Sequence, residues 1–172
     1  MKTSKLPKPL VHPQPDGLRA ALRFWTTGVS IVAASHGDTT HGMTVNSFTS
    51  LSLDPPLVSV SLEKVTRTHQ LVDETGAYAV TILSEEQRAL SDRFAGRDSE
   101  HSRRFDGVEN FTLETGSPIL SQGLAFFDCR VVSRHNAGTH TLFIGEVLAC
   151  GQFSDSGQPL VYFNRGYRKI VE

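Results

Sequence analysis

Cysteine is scarce in this 172-residue chain: only Cys129 and Cys150 occur, with no Cys-x-x-Cys. A disulfide scaffold and a thioredoxin-type redox motif are thereby excluded, and the pair reads as two reduced structural thiols. No glycine-rich Gly-x-Gly-x-x-Gly follows a strand, and there is no P-loop, so a dinucleotide, if bound, is not held by a doubly wound fold. Neither Gly-x-Ser-x-Gly nor His-Glu-x-x-His occurs, which removes the common serine hydrolase and zinc peptidase readings. No charge of one sign predominates. With 17 basic against 18 acidic residues the net charge is −1, which argues against a nucleic-acid partner recruited by phosphate neutralisation. No apolar run reaches membrane-spanning length. Residues 1–10 carry charges and prolines but no apolar stretch, so they do not read as a signal peptide, and the cytoplasm is the expected address. His36 and His41 are spaced like His135 and His140, but zinc ligands come in tighter Cys/His pairs. These histidines are expected to be solvated turn residues, and no metal site is expected.

What is present suits one soluble globular domain. Hydrophobic residues make up 38% and charged residues 20%. The proline-rich residues 1–15 read as a flexible arm and 16–172 as the folded domain. Asp16 is placed to cap a helix whose Leu18, Ala21, Leu22 and Trp25 share a face, ended by Gly28. Strands are expected over 29–34, 39–46, 48–53 and 57–62, with a turn at Gly37-Asp38. A helix over 66–74 closes at Gly76, and a strand covers 77–83. Ser84 and Gln87 form a capping box opening a helix to about Phe94. Residues 97–118 read as an irregular crossing loop. Two long strands, 124–135 and 139–152, flank the turn Asn136-Ala137-Gly138, and 159–163 forms a last strand. Many short strands and few helices predict a mainly β, closed or two-sheet architecture.

Two local patterns carry chemistry. The segment from Gly42 to Pro56 has strand-type alternation, yet Thr44, Asn46, Ser47, Thr49, Ser50 and Ser52 crowd it with small hydrogen-bonding groups. Buried hydroxyls and amides are unfavourable unless paired. The segment is therefore either a solvent-facing edge strand or a strand facing a flat, polar-edged ligand. Asp54-Pro55-Pro56 stops it, because proline cannot donate to a ladder. The second pattern, Ser61 to Thr68, leaves a strand and enters a helix. Backbone N–H groups at a helix start attract anions, and here they sit beside the Ser61, Thr66 and Thr68 hydroxyls and the Lys64 and Arg67 charges. It is either an ordinary capped helix or a phosphate site. A flat ring with a phosphate tail, such as flavin mononucleotide, fits both patterns at once.

Gly42-Met43-Thr44-Val45-Asn46-Ser47-Phe48-Thr49-Ser50, followed by Ser52-Leu53-Asp54-Pro55-Pro56-Leu57-Val58, resembles the flavin-binding signature of short-chain flavin reductases. These are the reductase components of two-component flavin monooxygenases. The resemblance continues through Phe94-Ala95-Gly96, Cys129-Arg130-Val131, Leu142 to Val147 and Leu160 to Phe163, over roughly residues 18–170. It implies an FMN-binding split β-barrel of Greek-key type with a few short flanking helices, a homodimer, and a monooxygenase partner. It also implies reduction of FMN or FAD by NADH or NADPH without a catalytic side chain. By position, Thr44, Val45, Asn46, Ser47, Thr49 and Ser50 are expected at the isoalloxazine and ribityl chain. Ser61, Leu62, Arg67 and Thr68 are expected at the phosphate, and His140, Arg165, Gly166 and Tyr167 at the nicotinamide. The family commonly carries Gly-Asp-His where this chain has Gly138-Thr139-His140, so less negative charge faces an incoming dinucleotide phosphate. Two rivals share the same residues: a flavoprotein with prosthetic FMN that reduces ferric complexes or quinones, and a non-catalytic flavin-binding module.

Overall fold

The computed structural model describes residues 12, 14–98, 103–153 and 157–170; most of the expected arm lies outside them. Among the described residues, twelve strands and three helices follow in chain order. Helix α1 spans Pro15–Leu22, then β1 Thr27–Gly28, β2 Ser30–His36, β3 Thr39–Val45, β4 Thr49–Leu53 and β5 Pro56–Glu63. Helix α2, Arg67–Thr75, leads to β6, Ala77–Ile82, and a 3-10 turn over Glu85–Gln87 leads into α3, Arg88–Phe94. The remaining strands are β7 Asn110–Phe111, β8 Ile119–Leu120, β9 Ala125–Ala137, β10 His140–Gln152, β11 Val161–Phe163 and β12 Gly166–Arg168.

Seven strands form one antiparallel sheet in the order β3-β2-β6-β9-β10-β5-β4. Its two edges, β3 and β4, are consecutive in sequence and joined only by Asn46, Ser47 and Phe48. Laid flat, seven strands would put those edges about 29 Å apart, whereas the link reaches no more than about 14 Å. The sheet therefore curls until its edges nearly meet, and the expected split barrel is the result. Ser47 bridges the split. Its hydroxyl donates to the Ser61 carbonyl at 2.9 Å and accepts from the Ser61 N–H at 3.1 Å. It thereby continues a β4–β5 ladder that otherwise ends at Thr49↔Ser59.

Alternation in β2 sends Val32 and Ala34 into the barrel core with Val60, Leu62, Tyr78, Val80 and Phe143. Ile31 points outward to a second cluster with Val29, Leu83, Phe94, Leu120 and Leu160. Both faces of β2 are thus apolar, as its uninterrupted buried run requires. Helix α2 packs on β2, β3, β5 and β6 and buries Leu71 and Val72. The Thr66 side chain caps α2, and Gly76 closes it in a left-handed conformation (φ 65°). A small sheet, β1-β11-β12, lies beside the barrel.

Four expectations need correction. Helix α1 begins at Pro15 with Gln14 as its cap residue and ends at Leu22, so Asp16 is not the cap. Proline suits the first helical position because its missing N–H has no partner there anyway. Trp25 falls beyond the helix and Gly28 belongs to β1. The stretch 97–118 is not wholly irregular, because β7 pairs with β8 as Asn110↔Leu120 and Phe111↔Ile119. Strand β12 had no expectation at all. The cysteines are both free, Cys129 buried and Cys150 exposed, and burial pushes the Cys129 thiol up to about 12.

Removing the seam hydroxyl leaves two part-buried backbone groups of Ser61 without that partner. Ser47→Ala should lower unfolding free energy by about 1–3 kcal/mol. Urea denaturation of variant and parent measures it, and an unchanged midpoint would show the seam to be held by other contacts.

Candidate functional site

The end of β3 and the seam place the predicted polar residues on one edge. Thr44, Val45 and Asn46 line a cavity of about 190 Å³ with Val29, Ala95, Arg97, Tyr162 and Tyr167. A second cavity of about 330 Å³ shares Asn46 and Tyr162 as walls and adds Asp16, Arg19, Leu22, Arg23, Trp25, Asn164 and Arg165. Asn46 stands between the two. Thr44 is fixed by donating its hydroxyl to the Ser91 carbonyl of α3 at 2.6 Å.

Helix α3 and β12 stiffen the back wall. The Tyr167 phenol donates to Asp92 at 3.0 Å and lies 2.9 Å from the Ser91 hydroxyl. Arg97 bonds the same Asp92 oxygen at 3.0 Å, and the Arg88 guanidinium sits over the Tyr167 ring, 5.3 Å from its centre. Burial above all, with the Asp92 carboxylate beside it, holds the Tyr167 phenol above its ordinary pKa. It therefore stays protonated at neutral pH. The Tyr162 and Tyr167 rings meet edge to face at 5.7 Å.

The remaining predicted residues spread further. Thr49 and Ser50 lie on the exposed edge strand β4. The Leu62 side chain is fully buried in the barrel core, so it can meet a ligand only through its backbone. Thr68 is fully buried too, and its hydroxyl lies 2.7 Å from His41 Nδ1. Arg67 lines a separate cavity of about 380 Å³ with His36, Thr39, Val65, Gln70, Leu71 and Glu74. His140 opens β10 opposite Glu63, 2.9 Å from the Thr139 hydroxyl. It lines neither cavity beside Asn46, so Arg165, Gly166 and Tyr167 are not brought to it within one protomer by any described contact. Among the described residues there is no cluster of three metal-ligating side chains.

His41 is not the solvated turn residue expected. It lies within β3, half-buried, and burial first, then the charges of Arg104 and Arg67, lower its pKa to about 4. Arg104 donates to the Gly42 carbonyl at 2.8 Å. A neutral imidazole flanked by two guanidiniums and a buried hydroxyl is an anion-receptive arrangement. Arg104 escaped the sequence reading because it lies in a polar loop with no local pattern. Trp25 also escaped it, being read only as part of a helix face, and Arg19 and Arg23 drew no reading at all. Spacing alone could not have found them.

Residues 22–171 match the model of the flavin reductase like domain. An NADH-dependent flavin reductase of a Rhodococcus species is 39% identical over 159 residues, covering 91% of this chain and 86% of its own. The reductase component of a 4-hydroxyphenylacetate 3-monooxygenase from Thermus thermophilus is 35% identical, covering 91% and 97%. Among solved structures, an NADH:FAD oxidoreductase of Streptomyces globisporus superposes with a TM-score of 0.87 at 30% identity, covering 97% of this chain and all of that one.

Because the His41 pKa is depressed in the folded state, the unfolded chain binds the extra proton between pH 6.5 and about 4. This contribution to stability is present above pH 6.5 and is lost as pH falls toward 4. His41→Gln should flatten the stability profile across that window in chemical denaturation at stepped pH. An unchanged slope would show that His41 is not the group responsible.

Proposed function

Because the chain belongs to the flavin reductase-like domain family, we propose that it is an NAD(P)H:flavin oxidoreductase that supplies reduced FMN or FAD to a partner monooxygenase. The observation that carries the reading is the wall of the cavity at Asn46. It offers a hydroxyl, an amide, two phenols and a guanidinium, and no carboxylate. Such a wall orients a flat polar ring and does not assemble an acid–base pair. Flavin, when bound, accepts a hydride from the reduced nicotinamide, so the chemistry is the cofactor's and the protein supplies position and electrostatics.

The residues present fit that role. Thr44, Val45, Asn46 and Ser47 hold the ring edge at the seam, where Asn46 presents both a donor and acceptors. Thr49 and Ser50 flank the ribityl chain. Ser61, the Leu62 backbone, Arg67 and Thr68 take the phosphate, with Arg104 adding to the cationic field and His41 staying neutral beside it. Tyr167, kept protonated by burial, donates its proton to Asp92 and carries no charge beside the ring. His140, Arg165 and Gly166 guide the nicotinamide. The name of the Thermus relative, a monooxygenase reductase component, supports the oxygenase partner. Among the described residues no helix is long and apolar enough to cross a membrane, and two free thiols suit the reducing cytoplasm.

A homodimer completes the reading. Edge strand β4 exposes Leu51 and Leu53, the latter at 90%, and Val65 and Val132 are likewise open. An uncovered apolar edge invites uncontrolled pairing, and two-fold closure is the commonest way to cover one.

Purified protein given FMN or FAD should oxidise NADH or NADPH far above background; no turnover with any pair would refute the enzyme. In the same preparation, Arg67→Ala should weaken FMN roughly tenfold or more while sparing riboflavin, since a hydrogen bond to a charged group contributes about 1.5–3 kcal/mol. Equal losses would assign Arg67 to the fold. Sedimentation at micromolar concentration should give twice the mass of the 18.9 kDa chain; a monomer would count against the proposed interface.

A further inference from the structure

The tip of the β9–β10 hairpin stands clear of the sheet on one flank. Strand β6 pairs with β9 only from Ala125 to Arg130. Beyond that point the Val131 N–H donates to the Gly76 carbonyl at 2.8 Å, and residues 132–137 have β10 on one side and, among the described residues, no strand on the other. Helix α2 stands in for the missing strand. Arg134 Nη2 donates to the Asp73 carbonyl at 3.2 Å, and Arg134 Nε lies 3.0 Å from the Asp73 carboxylate.

The other end of α2 holds the tip more closely. Lys64, at the corner before the helix, donates twice: its N–H to the Thr139 carbonyl at 3.0 Å and its Nζ to the Gly138 carbonyl at 2.8 Å. His69, in the first turn of α2, donates its N–H to the capping Thr66 hydroxyl at 3.3 Å. Its ring reaches across to β10. His69 Nε2 lies 2.8 Å from the Thr141 hydroxyl, in a buried contact, and the ring meets Phe143 edge-on at 5.1 Å. Burial above all lowers the His69 pKa, opposed by Asp73 and aided by Lys64, so the tie is made by a neutral imidazole. Gly138, Thr139, Thr141 and Phe143 are thus all fastened to Lys64 and His69. Arg67 lies between the two fasteners in the chain, and His140 lies among the fastened residues.

We propose that His69 and Lys64 are positioning residues that join the start of α2 to the His140 turn, so that a flavin phosphate and a nicotinamide each bind more tightly in the other's presence. The proposal rests on the reading of Arg67 as a phosphate ligand and His140 as a guide for the nicotinamide. Neither Lys64 nor His69 has a task in holding either ligand. A phosphate at Arg67 favours the arrangement in which the first turn of α2 is fixed, and a fixed turn holds the hairpin tip, and with it His140, in one place. A ligand shifts such an equilibrium only by its preference for one arrangement, and the coupling is reciprocal. Riboflavin has the same ring and ribityl chain without the phosphate, so it occupies the ring site and leaves the coupling unused.

The test uses the full chain with His69→Leu, His69→Gln and Lys64→Met. Dissociation of NAD⁺ from FMN-loaded and from riboflavin-loaded protein is read by calorimetry, and nicotinamide Michaelis constants are read with each flavin as acceptor. In the parent, NAD⁺ should bind roughly fivefold or more tightly beside FMN than beside riboflavin, the lower end of typical coupling between sites. That ratio should fall to near one in His69→Leu and Lys64→Met, with the riboflavin values close to the parent's. Glutamine places an amide where Nε2 lies, so His69→Gln should keep the ratio. A general loss of fold would weaken both flavins and would not be rescued by glutamine. Lys64 is exposed, so Lys64→Met decides the matter if His69→Leu proves too unstable. Equal NAD⁺ affinity beside FMN and riboflavin in the parent, or an unchanged ratio in Lys64→Met, overturns the coupling and leaves the reductase standing. Coupled binding without turnover in the parent would instead overturn the reductase and leave the coupling.

Discussion

A three-residue link between the two edges of a seven-stranded sheet governs this molecule. The link is too short for a flat sheet, so the curl, the interior and the seam all follow from it. The seam is also where Ser47 turns its hydroxyl to the Ser61 backbone and Asn46 is left facing both cavities. One geometric constraint therefore makes the barrel and exposes the polar segment that would otherwise be paired away. The crowding of Ser, Thr and Asn in that segment is then intelligible. Ser47 substitutes for ladder hydrogen bonds where the ladder stops, and Thr44 ties the strand to α3.

Much of this was legible in the sequence, and the reasons differ by element. The hairpin strands β2, β3, β9 and β10 announced themselves by apolar alternation and turn residues, and the capping box at Ser84 and Gln87 formed as read. Gly76 closed α2 because a left-handed residue was needed there. The end of α1 was not legible. Trp25 matched the helical period but lies past the terminus, and none of the α1 residues is buried, so no core contact selected the period. Strand β12 and the β7–β8 pair are two or three residues long, too short to leave a period at all.

The site was legible as a segment and not as a constellation. Thr44, Asn46 and Ser47 were found by composition, since polar residues at strand spacing are rare without a use. Thr68 was found for its hydroxyl, but its fully buried partnership with His41 depends on α2 lying across β3. The histidine was misjudged for the same reason: its neutrality comes from burial and two guanidiniums, one contributed by a residue 63 positions later in the chain. Convergence of this kind is a property of topology, which a single sequence does not print.

The order of the sheet has a consequence for how the chain is made. Strands β9 and β10 sit between β6 and β5, yet both are synthesised after them. Until residues 125–152 leave the ribosome, β5 and β6 each have one unpaired edge, and Val58, Val60 and Leu62 lack the Phe143 that packs with them. The early hairpins can form locally, but the barrel cannot close around its missing centre. Nascent chains of this topology hold apolar strand edges open for the time needed to translate about seventy further residues beyond β6, seconds at about 5–20 residues per second. Within that interval the late β9–β10 hairpin, more than any earlier element, decides between folding and aggregation.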